Sequence, residues 1–478
     1  MSWTTTTLGE VTNLKRGFDL PASKRVSGKY PVYSSSGKTG THDKYMVEGP
    51  CVITGRYGTI GKVFYSSNSC WPLNTSLYSC DFKGNNPRFV YYLLQTIPWS
   101  EYKTASAVPG VNRNHVNLHK VTIPDKITQD RIAYLLDSIT SKIELNNRIN
   151  GYLEELLLAK YDKLFPVNAN FTGILSDVGT IIGGATPSKK RSEYYCSNGI
   201  GWITPRDLSN SSDKFIAHGA DDITDEGYAS CSAKLLPKGS VLFSSRAPIG
   251  YIAIAADAVA TNQGFKSIVP KEEIGTAFVY CFLVRNKQRI ADMGAGTTFP
   301  EVSGKMMKSV ELAIPEQTLC AEFDFFAGPI LKQQEALERE NRELAALRDD
   351  LLPKLMSGEI DASKVDLTQL NSHLSDHSVA IREINNSTIA DATFINRFIA
   401  LRMLFEKLSH GIRHAFDIRG QVNCQMEFLT LFALLIIPHP EVAIRNDKTI
   451  RGRKNVKPYI VIPGLFARIS CKRAIMQH

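Results

Sequence analysis

The side chains best suited to chemistry in this sequence are cations and amides set among glycines. Gly55-Arg56-Tyr57-Gly58-Thr59-Ile60-Gly61 lies between two strand-like runs. Glycine lets backbone approach a phosphate closely, and an arginine there can grip a phosphate or the O6 and N7 of guanine with both prongs. Arg246, followed by Ile249-Gly250, repeats the pattern of Arg56 followed by Ile60-Gly61. Lys15-Arg16 and Lys24-Arg25 flank a loop after the first strand, and Ser188-Lys189-Lys190-Arg191 occupies the comparable loop later in the chain. Basic loops of this kind suit phosphate clamping. Asn74-Thr75 and Asn262-Gln263 are amides at matching positions, able to pair with adenine N6 and N7. Arg113 and Asn114, in the loop Val111–His115, and Thr297 and Thr298, in the loop Gly294–Thr298, precede the last strand of each half. Each candidate has a plainer alternative: a solvated turn, a solvated charged face, or an amide that caps a turn.

Catalytic chemistry finds little to use. Gly37-Lys38-Thr39 matches the end of a phosphate-binding loop, but Val32 stands where the first glycine is needed. Gly294-Ala295-Gly296 is a lone Gly-x-Gly, and Asn86-Pro87-Arg88-Phe89 does not satisfy the motif of an amino-methyltransferase. No His, Cys or acidic cluster has metal-ligand spacing. The nine cysteines are scattered singly, which reads as reduced thiols in a cytoplasmic protein. No signal peptide or membrane-length apolar stretch is seen, the longest being Phe428–Ile437. The expectation is a non-catalytic binding protein with no metal or cofactor of its own.

The elements that must position these residues come in duplicate. Leu8-Gly9-Glu10-Val11 echoes Leu175-Ser176-Asp177-Val178, Phe89-Val90-Tyr91 returns as Phe278-Val279-Tyr280, and Val121–Pro124 returns as Glu311–Pro315. Beyond those prolines the offset holds at 191 residues without gaps, pairing Arg148 with Arg339, Leu153 with Leu344 and Leu164 with Leu355. Each copy begins with a Gly-, Ser- and aromatic-rich part containing strand-like runs such as Lys62–Tyr65 and Tyr251–Ile254, and short helices at Phe89–Gln95 and Ala277–Val284. Each ends in a long helix. Ile139, Ile143, Leu153 and Leu156 share one face of the first, and Ile330, Leu337, Leu344 and Leu351 recur every seven residues in the second. That period predicts a coiled coil, against the alternative that these residues face the core of a single bundle. Gly328-Pro329 and Pro353 are expected to break or kink the second helix. The fold class is therefore α+β, with two similar β-rich domains separated by two long helices in an antiparallel coiled coil of pseudo-two-fold symmetry. The boundaries fall at 1–124, 125–165, 166–315 and 316–367, with a tail at 368–478.

Charge follows this division. The net charge is +9 overall, but residues 1–124 hold fourteen Lys and Arg against six acids, whereas residues 316–370 hold six against twelve. The first globular part has the bias a phosphate-binding surface needs, and the second helical part suits a protein partner.

Domain–helix–domain–helix order, with Gly184-Ala185-Thr186-Pro187-Ser188 ahead of Ile200-Gly201-Trp202-Ile203-Thr204-Pro205-Arg206-Asp207-Leu208, resembles type I restriction–modification specificity subunits. The helix end Leu347-Arg348-Asp349-Asp350-Leu351-Leu352-Pro353-Lys354-Leu355-Met356-Ser357-Gly358-Glu359-Ile360 closely matches the end of such subunits. The likeness covers roughly residues 5–367. It implies target-recognition domains at 1–124 and 166–315, each reading a few base pairs of double-stranded DNA, with Arg206 among the candidate contacts. It implies helical spacers that dock methylation subunits, two of them, and a complex that restriction subunits join. S-adenosylmethionine, ATP and Mg are then expected on those partners and not on this chain. The readings left open are a protein-binding scaffold with duplicated domains, or a rearranged, inactive specificity subunit, because nothing beyond about Leu370 matches the duplication.

Overall fold

The computed structural model describes residues 2–104, 110–166, 170–246, 248–295 and 300–365. The tail at 368–478 lies outside the described residues, as does most of the loop holding Thr297 and Thr298. Among the described residues no helix is long and apolar enough to cross a membrane.

The two apolar periodicities become two helices, Lys126–Leu164 and Gln317–Ser357. The Asp125 carboxylate accepts from the Thr128 N–H at 3.0 Å and starts the first. Gly358, at φ 79°, stops the second in the left-handed conformation that glycine adopts without strain. Of the break or kink expected at Pro329 and Pro353, no break occurs: the helix is continuous through both. Each proline removes one N–H and crowds the carbonyl four residues before it, at about 3 kcal/mol. Around Pro329, however, Phe323, Ala327 and Ile330 are fully buried, and each large side chain contributes ~1.5–3 kcal/mol by leaving water. Leu355 and Met356 do the same beyond Pro353.

The helices run antiparallel. Arg131 Nε donates to the Ala362 carbonyl at 3.2 Å, Asn146 Nδ2 to Asn341 Oδ1 at 3.0 Å, Gln334 Nε2 to the Asn150 carbonyl at 3.1 Å, and Lys160 Nζ pairs with Glu322 at 2.6 Å. The partner number falls as the first rises. At the middle the seam is polar: Asn146 also donates to Glu340, and Asn341 Nδ2 donates to Asn147 Oδ1 at 2.9 Å. The repeat equivalents Arg148 and Arg339 bracket this layer in sequence, so the two-fold relation between the copies passes through it. The expected seam residues Ile139, Leu153, Leu156, Ile330, Leu337 and Leu344 are buried, while Ile143 and Leu351 are half-buried.

Neither globular part is complete without helix from the other repeat. The core of the first joins Leu8, Val52, Phe89, Leu93 and Val116 to Ile132 and Leu136 from the first helix, to Leu355 and Met356 from the end of the second, and to Ala362 just beyond it. The core of the second joins Leu175, Val241, Phe278 and Met307 to Phe323, Ala327 and Ile330, and to Leu153, Leu157 and Tyr161 from the first helix. The coiled-coil reading and the alternative of a shared core therefore both hold, in different stretches of the same helices. The domains sit at opposite ends of the pair.

The two β-rich parts share a topology. In the first, a four-stranded sheet runs in the order Lys15–Arg16, Ser76–Ser79, Cys51–Gly55, Val63–Ser66. In the second the order is Gly179–Gly183, Lys266–Pro270, Val241–Phe243, Ile252–Ala255, with Phe215–Ile216 added in parallel at the edge. A two-stranded clasp closes each domain against the start of its helix: Trp3–Thr7 with Lys120–Pro124, and Gly173–Ile174 with Glu311–Leu312.

Candidate nucleic-acid interface

In each domain three loops converge at one end of the sheet. The loop leaving the central strand Cys51–Gly55 is held on both sides: Arg56 N–H donates to the Thr75 carbonyl at 2.9 Å, and the Arg56 carbonyl accepts from Val111 N–H at 2.9 Å. In the second domain Ser245 N–H donates to the Gly264 carbonyl at 2.7 Å, and its carbonyl accepts from Val302 N–H at 3.0 Å. Tyr57 bridges to Gly110 as Arg246 bridges to Glu301. The hydrogen bonds thus equate Arg56 with Ser245 and Tyr57 with Arg246, one residue away from the match of Arg56 with Arg246 read from the sequence. The same register pairs Asn74 with Gln263 and Leu73 with Asn262: Leu73 N–H donates to the Tyr33 carbonyl at 2.7 Å, and Asn262 N–H to the Ile203 carbonyl at 3.0 Å.

A fourth loop, after the first sheet strand, closes in on the tip. A side chain at Gly17 would collide with the Leu73 carbonyl at 2.2 Å, and one at Gly184 with the Thr261 carbonyl at 2.1 Å. These glycines therefore permit a close backbone approach in both domains. The paired amides tie this loop down: Asn74 donates to Asp19, and Gln263 accepts from Thr186. Asn262 Oδ1 accepts from Gly264 N–H at 2.8 Å and caps a turn. All three amides are thus engaged in holding the tip together, the plainer role the sequence left open.

The cations differ between the tips. The Arg56 guanidinium lies 4.5 Å from the Tyr57 ring centroid, and among the described residues no carboxylate pairs with it. A ring face attracts a cation at this distance through its quadrupole. Arg246 instead faces Glu301 at 3.7 Å, and Lys266 reaches the same carboxylate at 3.3 Å. Arg113 and Asn114 open the short helix Arg113–Asn117, exposed, with the Asn112 side chain accepting from Asn114 N–H at 3.0 Å. Gly304–Lys308 is the counterpart, capped by Ser303, and it presents Lys305 and Lys308. Arg206 is exposed at the start of the helix Pro205–Asn210, whose capping box joins Thr204 and Asp207. Pro205 lies against Gly264, which places Arg206 beside the second tip.

Other candidates stand further off. Lys15 and Arg16 are exposed on an edge strand that leads into Gly17. Ser188, Lys189 and Lys190 are exposed on a turn just past Thr186. Lys24 and Arg25 are not brought to the tip: Val26, next to them, donates to His42 Nδ1 at 3.1 Å, at the end of the Tyr30–Ser34 and Gly37–His42 hairpin away from its Ser34–Gly37 turn. Glu301, Lys266, Lys305 and Tyr57 belong to the tips and were not singled out from the sequence. The signal for Glu301 and Lys266 was their nearness to loops already marked.

Charged clamps orient each domain on the helices. Arg88 grips Asp137 while stacking 4.4 Å from the Tyr65 centroid, and Tyr92 Oη donates to Asp137 at 2.7 Å. At the other end Lys214 reaches Glu154 and Gln334, and Glu338 accepts from the Lys214 and Phe215 N–H groups at 2.9 and 3.0 Å. Burial pushes the Glu338 carboxyl up to about 7, against the pull of those two amides.

Comparison with known proteins converges on one family. The MjaIX specificity subunit of a type I restriction enzyme from Methanocaldococcus jannaschii is 40% identical over 180 residues, which is 36% of this chain and 41% of that protein, so this match spans less than half of the relative. The HindI specificity subunit from Haemophilus influenzae is 24% identical over 358 residues, 57% of this chain and 77% of the relative. Among solved structures, the S subunit of a type I restriction–modification system from M. genitalium is similar with a TM-score of 0.51 at 17% identity, covering 74% of this chain and 96% of that one, a likeness of fold. The model of the type I restriction modification DNA specificity domain matches twice, at residues 1–155 and 172–323, and the chain accordingly belongs to that specificity family.

Proposed function

We propose that the two tips read the two unlike halves of a split, asymmetric DNA target, and that the helix pair sets the distance between them. The observation that supports this is the pair of loop clusters built on one hydrogen-bond plan but carrying different side chains: Arg56 and Tyr57 in one, Ser245 and Arg246 in the other. A common scaffold with unlike contact residues suits two related readers of different sequences. Phosphate contacts then come from the surrounding cations, Lys15, Arg16, Lys189 and Lys190 among them, and base contacts from the tips. Under this reading the acidic second helix and its partner dock two methylation subunits, restriction subunits join the complex, and S-adenosylmethionine, ATP and Mg are handled by those partners.

The test is to map methylated adenines in cells carrying this chain with its methylation subunits. A motif of two different half-sites around a fixed spacer is expected, and exchange of residues 1–124 for a relative's domain should alter only one half-site. A contiguous motif, a perfect palindrome, or simultaneous change of both halves would overturn the proposal.

A further inference from the structure

The second tip holds a carboxylate at its centre, an unusual group to aim at a polyanion. Glu301 is 38% exposed and Arg246 39%, the two standing 3.7 Å apart on bridged backbone. Lys266, only 16% exposed, holds the carboxylate from behind at 3.3 Å and also contacts Ser245 Oγ at 3.4 Å. The corresponding place in the first tip is Gly110, where even a Cβ would meet the Tyr57 ring at 2.3 Å. An acid can therefore stand in the second tip and not in the first.

A carboxylate facing phosphate is repelled, but base edges offer donors. In the major groove a guanine–cytosine pair presents the acceptors O6 and N7 beside the N4 amine donor of cytosine. Arg246 and Glu301 present the complement, a two-pronged donor beside an acceptor, on one rigid bridge. Adenine sets its N6 donor beside the N7 acceptor, so the two prongs of an arginine meet one acceptor and one donor there, where guanine offers two acceptors. Resting on the DNA-reading role proposed above, we propose that the Arg246–Glu301 pair is the specificity-determining element of the second domain and reads a guanine–cytosine base pair, Arg246 on guanine and Glu301 on cytosine. Lys266 positions the carboxylate for that contact.

The full chain, co-produced with its methylation subunits, is used to select binding sites from a DNA library with both half-sites randomised. The wild type should enrich an invariant G·C pair in the half-site read by the second domain. In Glu301→Gln, whose amide both donates and accepts and so can pair with adenine N6 and N7, discrimination against A·T at that one position should fall on the order of tenfold. The first half-site should remain as it was and serves as the control for folding. If both half-sites vanish in that variant, Arg246→Lys decides, since it keeps the charge and loses the fork. No invariant G·C pair, or an unchanged second half-site in both variants, would overturn this assignment while leaving the DNA-reading role intact. Failure of the wild type to enrich any sequence would overturn both.

Discussion

Glu338 ties the added edge strand of the second domain to the second helix, and it does so as a carboxyl buried to 7% exposure. Its ordinary value of 4.5 is raised to about 7 by burial. The folded state therefore keeps a proton that the unfolded chain has already released between those two values. By linkage, stability falls as pH rises through this window, and the full penalty is in force above about pH 7. At 1.36 kcal/mol per pH unit the loss is ~3 kcal/mol at most. Glu338→Gln removes the titration but turns an NH2 toward one of the two backbone donors, costing ~1–3 kcal/mol for one lost hydrogen bond. The two profiles should therefore cross: the variant less stable than wild type at pH 5, and equal or more stable at pH 8. Hydrogen exchange of the Lys214 and Phe215 amides, corrected for intrinsic rate, reads this locally. Parallel pH profiles for wild type and variant would refute the argument, because they would show that Glu338 is not the group that loses its proton.

Arg56→Ala should weaken binding to DNA about tenfold at fixed salt, measured by fluorescence anisotropy, while changing unfolding stability by under ~0.5 kcal/mol, because the half-buried Arg56 side chain rests on the Tyr57 ring and not in a hydrophobic core. A seven-residue insertion after Asn147, matched by one after its repeat equivalent Glu338, lengthens the helix pair by about 10 Å. The methylated motif should then keep its half-sites and gain up to about three base pairs of spacer, at about 3.4 Å per step. A two-residue insertion turns the apolar face by about 200° and should prevent assembly, as judged by size-exclusion chromatography. A chain stopped after Thr368 keeps Ala362 and Val365, whose carbonyls accept from Arg131 at 3.2 and 3.4 Å, and should direct methylation subunits supplied with it to the same motif; loss of assembly would make the tail integral.

The duplication, the helix seam and the sheet strands were legible because they are written in local signals. A heptad of Ile330, Leu337, Leu344 and Leu351 declares a buried face whatever it packs on, and a gapless offset through two helices declares a repeat. The structure brings several of the marked loops together: those holding Arg56, Asn74 and Arg113 meet at the first tip, and those holding Arg246 and Asn262 at the second. What the tertiary structure alone decided is who stands where within them. Loops between strands vary in length, so equivalence rests on hydrogen bonds between distant residues, such as Ser245 with Gly264 and Val302, and those assign Arg56 to Ser245 and Asn74 to Gln263. The pairing of Arg246 with Glu301 depends on two segments more than fifty residues apart meeting on one bridge. Continuity of the second helix through Pro329 depended on burial supplied by the second domain, and the sharing of cores on the antiparallel crossing of the helices. Periodicity along a chain reports which face is buried; only packing between segments far apart in sequence determines what buries it.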